Sequence, residues 1–341
     1  MSQPVADAAF RPRIAPVRAG KERPLWSVMI PTYDSGKYLA DTLRSVLAQD
    51  PGPDAMQIEV VDDHSTADDP EHIVREVAGD RVTFHRQPTN VGHIRNFNTC
   101  LGRSRGELVH LLHSDDRVLP GFYEVMARPF RDHPDLGCAW CRQIILDDEG
   151  RWVHVSSLFQ QTSGVIPDWL GKIASWQRLQ APSIVVRRRV YEEVGGFDTR
   201  VRAYGEDWEM WVRIASRFAA WHQVEPLAAY RFSRASSLTA KTIRTGLNGR
   251  DMRRIIEINR AVLPSDREPR LTAVAREACA MGSLKWAKRM LDAGQLDTPL
   301  IQLREALHFA VTPAVLLRAY AVVGYYFLTI ARKVTGRRLG L

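Results

Sequence analysis
The run Leu111-Leu112-His113-Ser114-Asp115-Asp116 ends an apolar stretch on two adjacent carboxylates. In an α/β sheet the carboxyl ends of the strands face the ligand crevice. Two acids there suit a divalent cation, since hard cations take oxygen ligands, or they cap the following helix. Three further stretches bring polar groups to the same edge. Pro31-Thr32-Tyr33-Asp34-Ser35-Gly36 offers a hydroxyl, a ring on which a base can stack and a carboxylate in one turn. Val60-Val61-Asp62-Asp63-His64-Ser65 repeats the theme with an acid suited to a ribose hydroxyl or a base N–H. Asn90-Val91-Gly92 leads into a helical pattern carrying Arg95, whose charge suits either a phosphate or a salt bridge to the acids.

A later pair of motifs has a different character. Gly195-Gly196 gives a backbone free to approach a ligand closely at Gly196. Glu206-Asp207-Trp208-Glu209 then opens an aromatic-rich helix. Acids at a helix N-terminus are favoured by its dipole. Beside a sugar, a carboxylate flanked by Trp208 is also suited to work as a general base, because burial raises its proton affinity. The glycine-rich turn of dinucleotide enzymes and the phosphate loop ending in Gly-Lys-Ser/Thr are both absent, which argues against a dehydrogenase or a P-loop ATPase.

The elements that must position these groups alternate along the first half of the chain. Strands are expected at 26–32, 57–61, 82–86 and 107–112, with helices at 36–49, 70–78 and 91–102. This alternation predicts βαβ units and a mostly parallel sheet flanked by helices. Helical character returns at 189–194 and 206–215, and beyond 239 the pattern is nearly all helical. Residues 1–24 read as a flexible tail, 25–240 as the α/β domain and 241–341 as a helical C-terminal region that docks on a membrane or forms a dimer face. In that region 314–331 is apolar, with basic residues after it, and suits a membrane interface or ordinary packing. Of the 341 residues, 45% are hydrophobic and 25% charged, as in a folded soluble protein, and the net charge of +8 fits an anionic partner. The positive charge shows no aromatic-interleaved stripe, so a nucleic-acid partner is not expected. Four cysteines are too few for a disulfide framework, and Cys138-Ala139-Trp140-Cys141 lies in a strand pattern where both read as small buried hydrophobes. A reducing cytoplasm is the expected compartment, with a peripheral position on the inner face of the cell membrane as its extension.

Six phrases in order resemble glycosyltransferase family 2, the inverting enzymes of the GT-A fold: SVMIPTYDSGKYLADTLRSVLAQ, IEVVDDHSTADD, NVGHIRNFN, LLHSDDRVLPGFYE, VGGFDTRVRAYGEDWEMWVRIA and AYRFSRASSLT. The resemblance covers about residues 25–239. It implies that Thr32, Tyr33 and Asp63, with Pro31, Arg95 and Ser114 close by, hold the nucleotide. It further implies that Asp115, with Asp116 beside it, holds Mn²⁺ or Mg²⁺ on the diphosphate, and that Asp207, with Glu206 beside it, is the base. His113, Gly196, Trp208 and Arg231 are the expected donor or acceptor contacts. Two positions depart from the pattern: His113 stands where the family has an Asp, and Ser233 where it often has a His. The Gln-x-x-Arg-Trp motif of processive synthases is absent, which predicts one sugar per encounter. The implied partners are a nucleoside-diphosphate sugar and a glycan or lipid-linked glycan acceptor. The alternative is an inert scaffold of the same fold that binds nucleotide-sugar or glycan.

Overall fold
The computed structural model describes residues 9–17, 23–232 and 237–338, with side chains through 333. In chain order the elements are β1 (Trp26–Thr32), α1 (Gly36–Leu47), β2 (Met56–Asp62), α2 (Pro70–Ala78), β3 (Thr83–Arg86), α3 (His93–Arg103), β4 (Leu108–Leu111), β5 (Arg117–Val118), α4 (Phe122–Asp132) and β6 (Leu136–Leu146). Then follow β7 (Trp152–Val155), β8 (Gly164–Val165), α5 (Trp169–Ser175), a 3₁₀ turn, β9 (Ile184–Arg187), α6 (Arg188–Val194), α7 (Glu206–Ala215) and β10 (Ala219–Arg231). The chain closes with α8 (Leu238–Thr245), α9 (Leu247–Arg260), α10 (Glu268–Asp292), α11 (Asp297–Phe309) and α12 (Pro313–Arg338). They form two compact units. One takes the described residues of 1–170, 178–200 and 213–234; the other takes those of 171–177, 201–212 and 235–341.

The first unit is built on a ten-stranded sheet of order β3-β2-β1-β4-β9-β6-β10-β5, with β7 on β6 and β8 on β10. Its first four strands are parallel, with Trp26 opposite Met56 on one side and Leu108 on the other. Parallel strands covered on both faces read as continuous apolar runs, and every residue of β1 and β2 is buried. Leu39, Leu43 and Val46 recur at helical spacing on α1 and close over Val28, Ile30, Ile58 and Val60. Each such fully buried side chain contributes about 1.5–3 kcal/mol. Past β4 the sheet becomes mixed: β9 runs antiparallel between β4 and β6, while β6 and β10 are parallel. Cys138 and Cys141 are buried free thiols on β6, each pushed up to about 12 by burial, so neither is poised to react at neutral pH.

Within residues 1–24 the expectation of a flexible tail does not hold for the stretch around Arg11. Arg11 and Ile14 are buried, and the Arg11 guanidinium meets the buried Asp198 carboxylate at 2.9 Å. The carbonyls of Phe10, Pro12 and Ala15 accept hydrogen bonds from Thr199, Gly196 and Arg188. A buried acid requires charged or hydrogen-bonding partners, and the segment supplies one of two, the other being Arg200 at 2.6 Å.

In the second unit the 25-residue α10 carries α9, α11 and α12. Its core holds Ile255, Leu271, Ala280, Leu284, Ala287, Leu291, Phe309 and Val315. On α12 Val315, Ala319 and Val322 face inward, whereas Leu317, Tyr320, Phe327 and Leu328 are exposed, Tyr320 to 79%.

Candidate active site
Strand ends β1, β2 and β4 bring three turns together, and hydroxyls tie them. The Thr32 hydroxyl meets Ser35 at 2.9 Å, and Ser35 meets Ser114 at 2.5 Å. From α1 the Thr42 hydroxyl donates to the carbonyls of Ser114 and Asp116, at 2.9 and 2.7 Å. Pro31, Thr32 and Ser114 are buried and build this frame, whereas Tyr33 at the tip of the first turn is 48% exposed. Asp34, with φ at +44°, folds that turn onto the next by accepting from the backbone N–H groups of Thr66 and Ala67.

The adjacent acids after β2 divide the work. Asp62 accepts from Ser65 and pairs with Arg86 at 2.7 Å. Asp63 is buried, and its two oxygens accept from the backbone of Val91 and Gly92, at 2.8 and 2.9 Å. Burial pushes the Asp63 acid up, and these two donors partly offset that rise. Asp63 thus shapes the turn leading to α3, on which Arg95 is exposed.

At the end of β4, His113, Asp115 and Asp116 each offer a ligand atom within 4.8 Å of the others. His113 stacks on Phe97 with ring centroids 5.0 Å apart, which fixes its plane. Asp116 is buried, and one of its oxygens accepts the backbone N–H of Arg231 at 2.9 Å. One imidazole and two carboxylates form a donor set that fits a divalent cation. Arg231, expected at a ligand, is a brace. Its guanidinium donates to the carbonyls of Asp115, Asp147 and Asp148 and lies 4.5 Å from the Tyr38 ring centre.

Two other expected contacts are corrected by packing. Gly196 does approach a surface closely, but that surface is the chain itself. Its N–H donates to Pro12, its carbonyl accepts from Arg213, and a Cβ there would stand 2.3 Å from Asn98 Oδ1. Trp208 is 0% exposed, and its indole N–H donates to the Ile173 carbonyl at 2.7 Å, so it faces the core and cannot touch a sugar. An aromatic one turn into an amphipathic helix falls on the apolar stripe that burial claims first.

Asp207, at the start of α7, belongs to the second unit. Its Oδ2 accepts from Gln177 at 2.5 Å and its Oδ1 from the Trp208 backbone at 2.8 Å. Burial, and then the neighbouring Glu206 carboxylate, push Asp207 up to about 7. Gln177 has no signal in the sequence, because it meets Asp207 from 30 residues away. Ser233 lies outside the described residues.

A sheet with a parallel nucleotide-type half and acids at its strand ends, extended by a mixed half and a helical region, defines a GT-A glycosyltransferase. The chain belongs to glycosyltransferase family 2, whose description, Glycosyl transferase family 2, matches residues 27–195. A Mycobacterium tuberculosis protein, the uncharacterized protein MT1568, is 30% identical over 70% of this chain and 77% of its own. Among solved structures, S. aureus TarS 1-349 in complex with UDP-GlcNAc is 17% identical with a TM-score of 0.61, covering 91% of this chain and 92% of that one. The mannosyltransferase PcManGT from Pyrobaculum calidifontis, in complex with GDP-Man and Mn²⁺, is 19% identical with a TM-score of 0.55, covering 92% and 87%. At these identities the two structures establish the shared fold.

Proposed function
We propose that the protein transfers a single sugar, with inversion, from a nucleoside-diphosphate sugar to an acceptor hydroxyl in the assembly of a surface polysaccharide or glycolipid. The observation that carries this reading is the His113, Asp115 and Asp116 cluster at the end of β4, tied through Ser114 and Ser35 to the turn that carries the exposed Tyr33. The nucleobase stacks on Tyr33, at the tip of the turn that the Thr32, Ser35 and Ser114 hydroxyls hold, with Asp63 closing the next turn. Arg95, exposed at the start of α3, lends its charge to the phosphates. When bound, a divalent cation held by Asp115 with His113 and Asp116 supplies Lewis-acid neutralisation of the departing diphosphate.

The acceptor oxygen attacks the anomeric carbon opposite the diphosphate, and Asp207 takes its proton. A free Asp titrates near ~3.9 and is a poor base at neutral pH, whereas an acid raised to about 7 is matched to the task. Glu206 keeps that proton affinity high through its like charge.

The acceptor reading extends to a membrane. Pro313–Lys333 is the one helix among the described residues long and apolar enough to cross a bilayer. It contains no acidic residue, and its outward stripe of Leu317, Tyr320, Phe327 and Leu328 is exposed. We read it as lying on an anionic bilayer at the cytoplasmic face, where a lipid-linked acceptor would be presented.

Thermal shift with UDP, dTDP, GDP and CMP, each with and without Mn²⁺, tests the donor half. Stabilisation by one nucleotide that requires the cation supports the reading and names the base, and no shift with any of them overturns it. Turnover of the matching sugar nucleotide, with NMR of the product anomer, separates an inverting enzyme from an inert scaffold.

A further inference from the structure
We propose that Asp251, on α9, is a positioning residue for the base. It holds the loop that aims Glu206 and Asp207, and the C-terminal helices serve the reaction as the mount of that loop. This rests on Asp207 being the base. Asp251, α9 and the loop all lie in the second unit and beyond the residues matched by the family.

The geometry is specific. Asp251 is buried, and its single Oδ2 accepts from three consecutive backbone N–H groups, Arg202 at 3.3 Å, Ala203 at 2.8 Å and Tyr204 at 3.2 Å. The groups that act on it are these three N–H donors and the like-charged Glu206, with no cation among them. A buried carboxylate without a cation is costly unless N–H donors satisfy it. Here those donors all come from one loop, so the acid and the loop's curvature depend on each other. The next residue, Gly205, has φ at +83°, and a Cβ there would stand 2.9 Å from both Ile255 and Met252 of α9. Tyr204 is anchored in turn by Trp286 of α10. The chain therefore enters α7 from a curl clamped by α9 and α10, and Asp207 is the second residue of that helix. Gln177 then sets the carboxylate itself.

A base displaced by about 1 Å loses on the order of 100-fold in rate. Asp251→Ala frees three N–H groups at once and should lower kcat ~10–100-fold while leaving the donor KM, and the affinity for the nucleotide that gives the thermal shift, unchanged. Asp251→Asn keeps a carbonyl oxygen that can accept the same donors and should restore kcat to within about threefold of wild type. Hydrogen exchange of the intact wild-type protein supplies a readout that needs no variant: the amides of 202–204 should be protected to the same degree as those inside α9. Exchange of these amides at unstructured rates, wild-type kcat in Asp251→Ala, an equal loss of affinity for the nucleotide that gives the thermal shift, or failure of Asp251→Asn to restore turnover would each overturn the proposal. Asp207→Asn keeps the two readings apart. An active Asp207→Asn removes the assignment of the base, and an inactive one beside a fully active Asp251→Ala removes only the role of Asp251.

Discussion

Asp207→Asn should abolish turnover and gain stability relative to the wild type as pH rises from 4 to 8. Lifting a carboxylic acid from 3.8 to about 7 corresponds to roughly 4 kcal/mol of differential interaction. The folded state holds this proton more tightly than the unfolded chain does. Stability therefore falls as pH rises from about 4 to about 7, and the cost is complete above 7. Asn mimics the protonated acid at every pH and escapes that cost. Asp207 keeps some solvent contact and shares its shift with Glu206, so the recoverable part is smaller, about 1–2 kcal/mol. Asn also keeps one acceptor where the carboxylate uses two, toward Gln177 and Trp208, a loss of about 1 kcal/mol that does not vary with pH. The quantity to read is thus the stability difference between variant and wild type at pH 8 minus that at pH 4, by urea unfolding at both. It should favour the variant by ~1–2 kcal/mol, and wild-type turnover should drop about tenfold from its plateau by pH 6. A difference that is flat in pH, or turnover in Asp207→Asn near the wild-type rate, would refute the reasoning.

Three other perturbations follow from the geometry. His113→Asp replaces the imidazole by a third carboxylate, so the ratio of Mn²⁺ to Mg²⁺ affinity in the presence of the nucleoside diphosphate, measured by calorimetry, should fall. Gly196→Ala places a methyl 2.3 Å from Asn98 Oδ1 and 3.0 Å from Pro12, and should cost about 1–3 kcal/mol in denaturant unfolding with nucleotide affinity retained. Leu317→Glu with Phe327→Glu should abolish cosedimentation with phosphatidylglycerol vesicles at low salt; a wild-type protein that ignores such vesicles, or a helix that pairs two copies in solution instead, would remove the membrane reading.

Much of the fold was legible because it is written in local periods. The apolar core Val28-Met29-Ile30 of β1, the three-four spacing of Leu39, Leu43 and Val46 on α1, and the acids closing β2 and β4 locate these elements without any tertiary information. The limits of α7, Glu206–Ala215, also match the pattern read from the chain. Acid pairs at strand ends were readable for the same reason: strand order along the chain and the rule for ligand edges are enough to predict that they converge.

Tertiary structure decided what no period records, namely which polar group is used up by a partner far along the chain. Trp208 and Gly196 sit in the right motif yet face Ile173 and Pro12, because close packing claims an aromatic on an apolar stripe and a bare backbone in a tight crossing. Arg231 reads as a donor or acceptor contact, but three carbonyls of two turns capture its guanidinium. The stretch around Arg11 reads as a tail, but its guanidinium joins that of Arg200 on the buried Asp198. Asp251, in a region without a readable motif, gathers three N–H groups from a loop almost 50 residues earlier. The sequence by itself determined the strands, the helices and the kinds of chemistry carried at their ends. Only the folded chain decided which of those groups stay open to a ligand, because a hydrogen bond or a packing contact between distant residues satisfies a side chain and leaves no trace in the spacing of its neighbours.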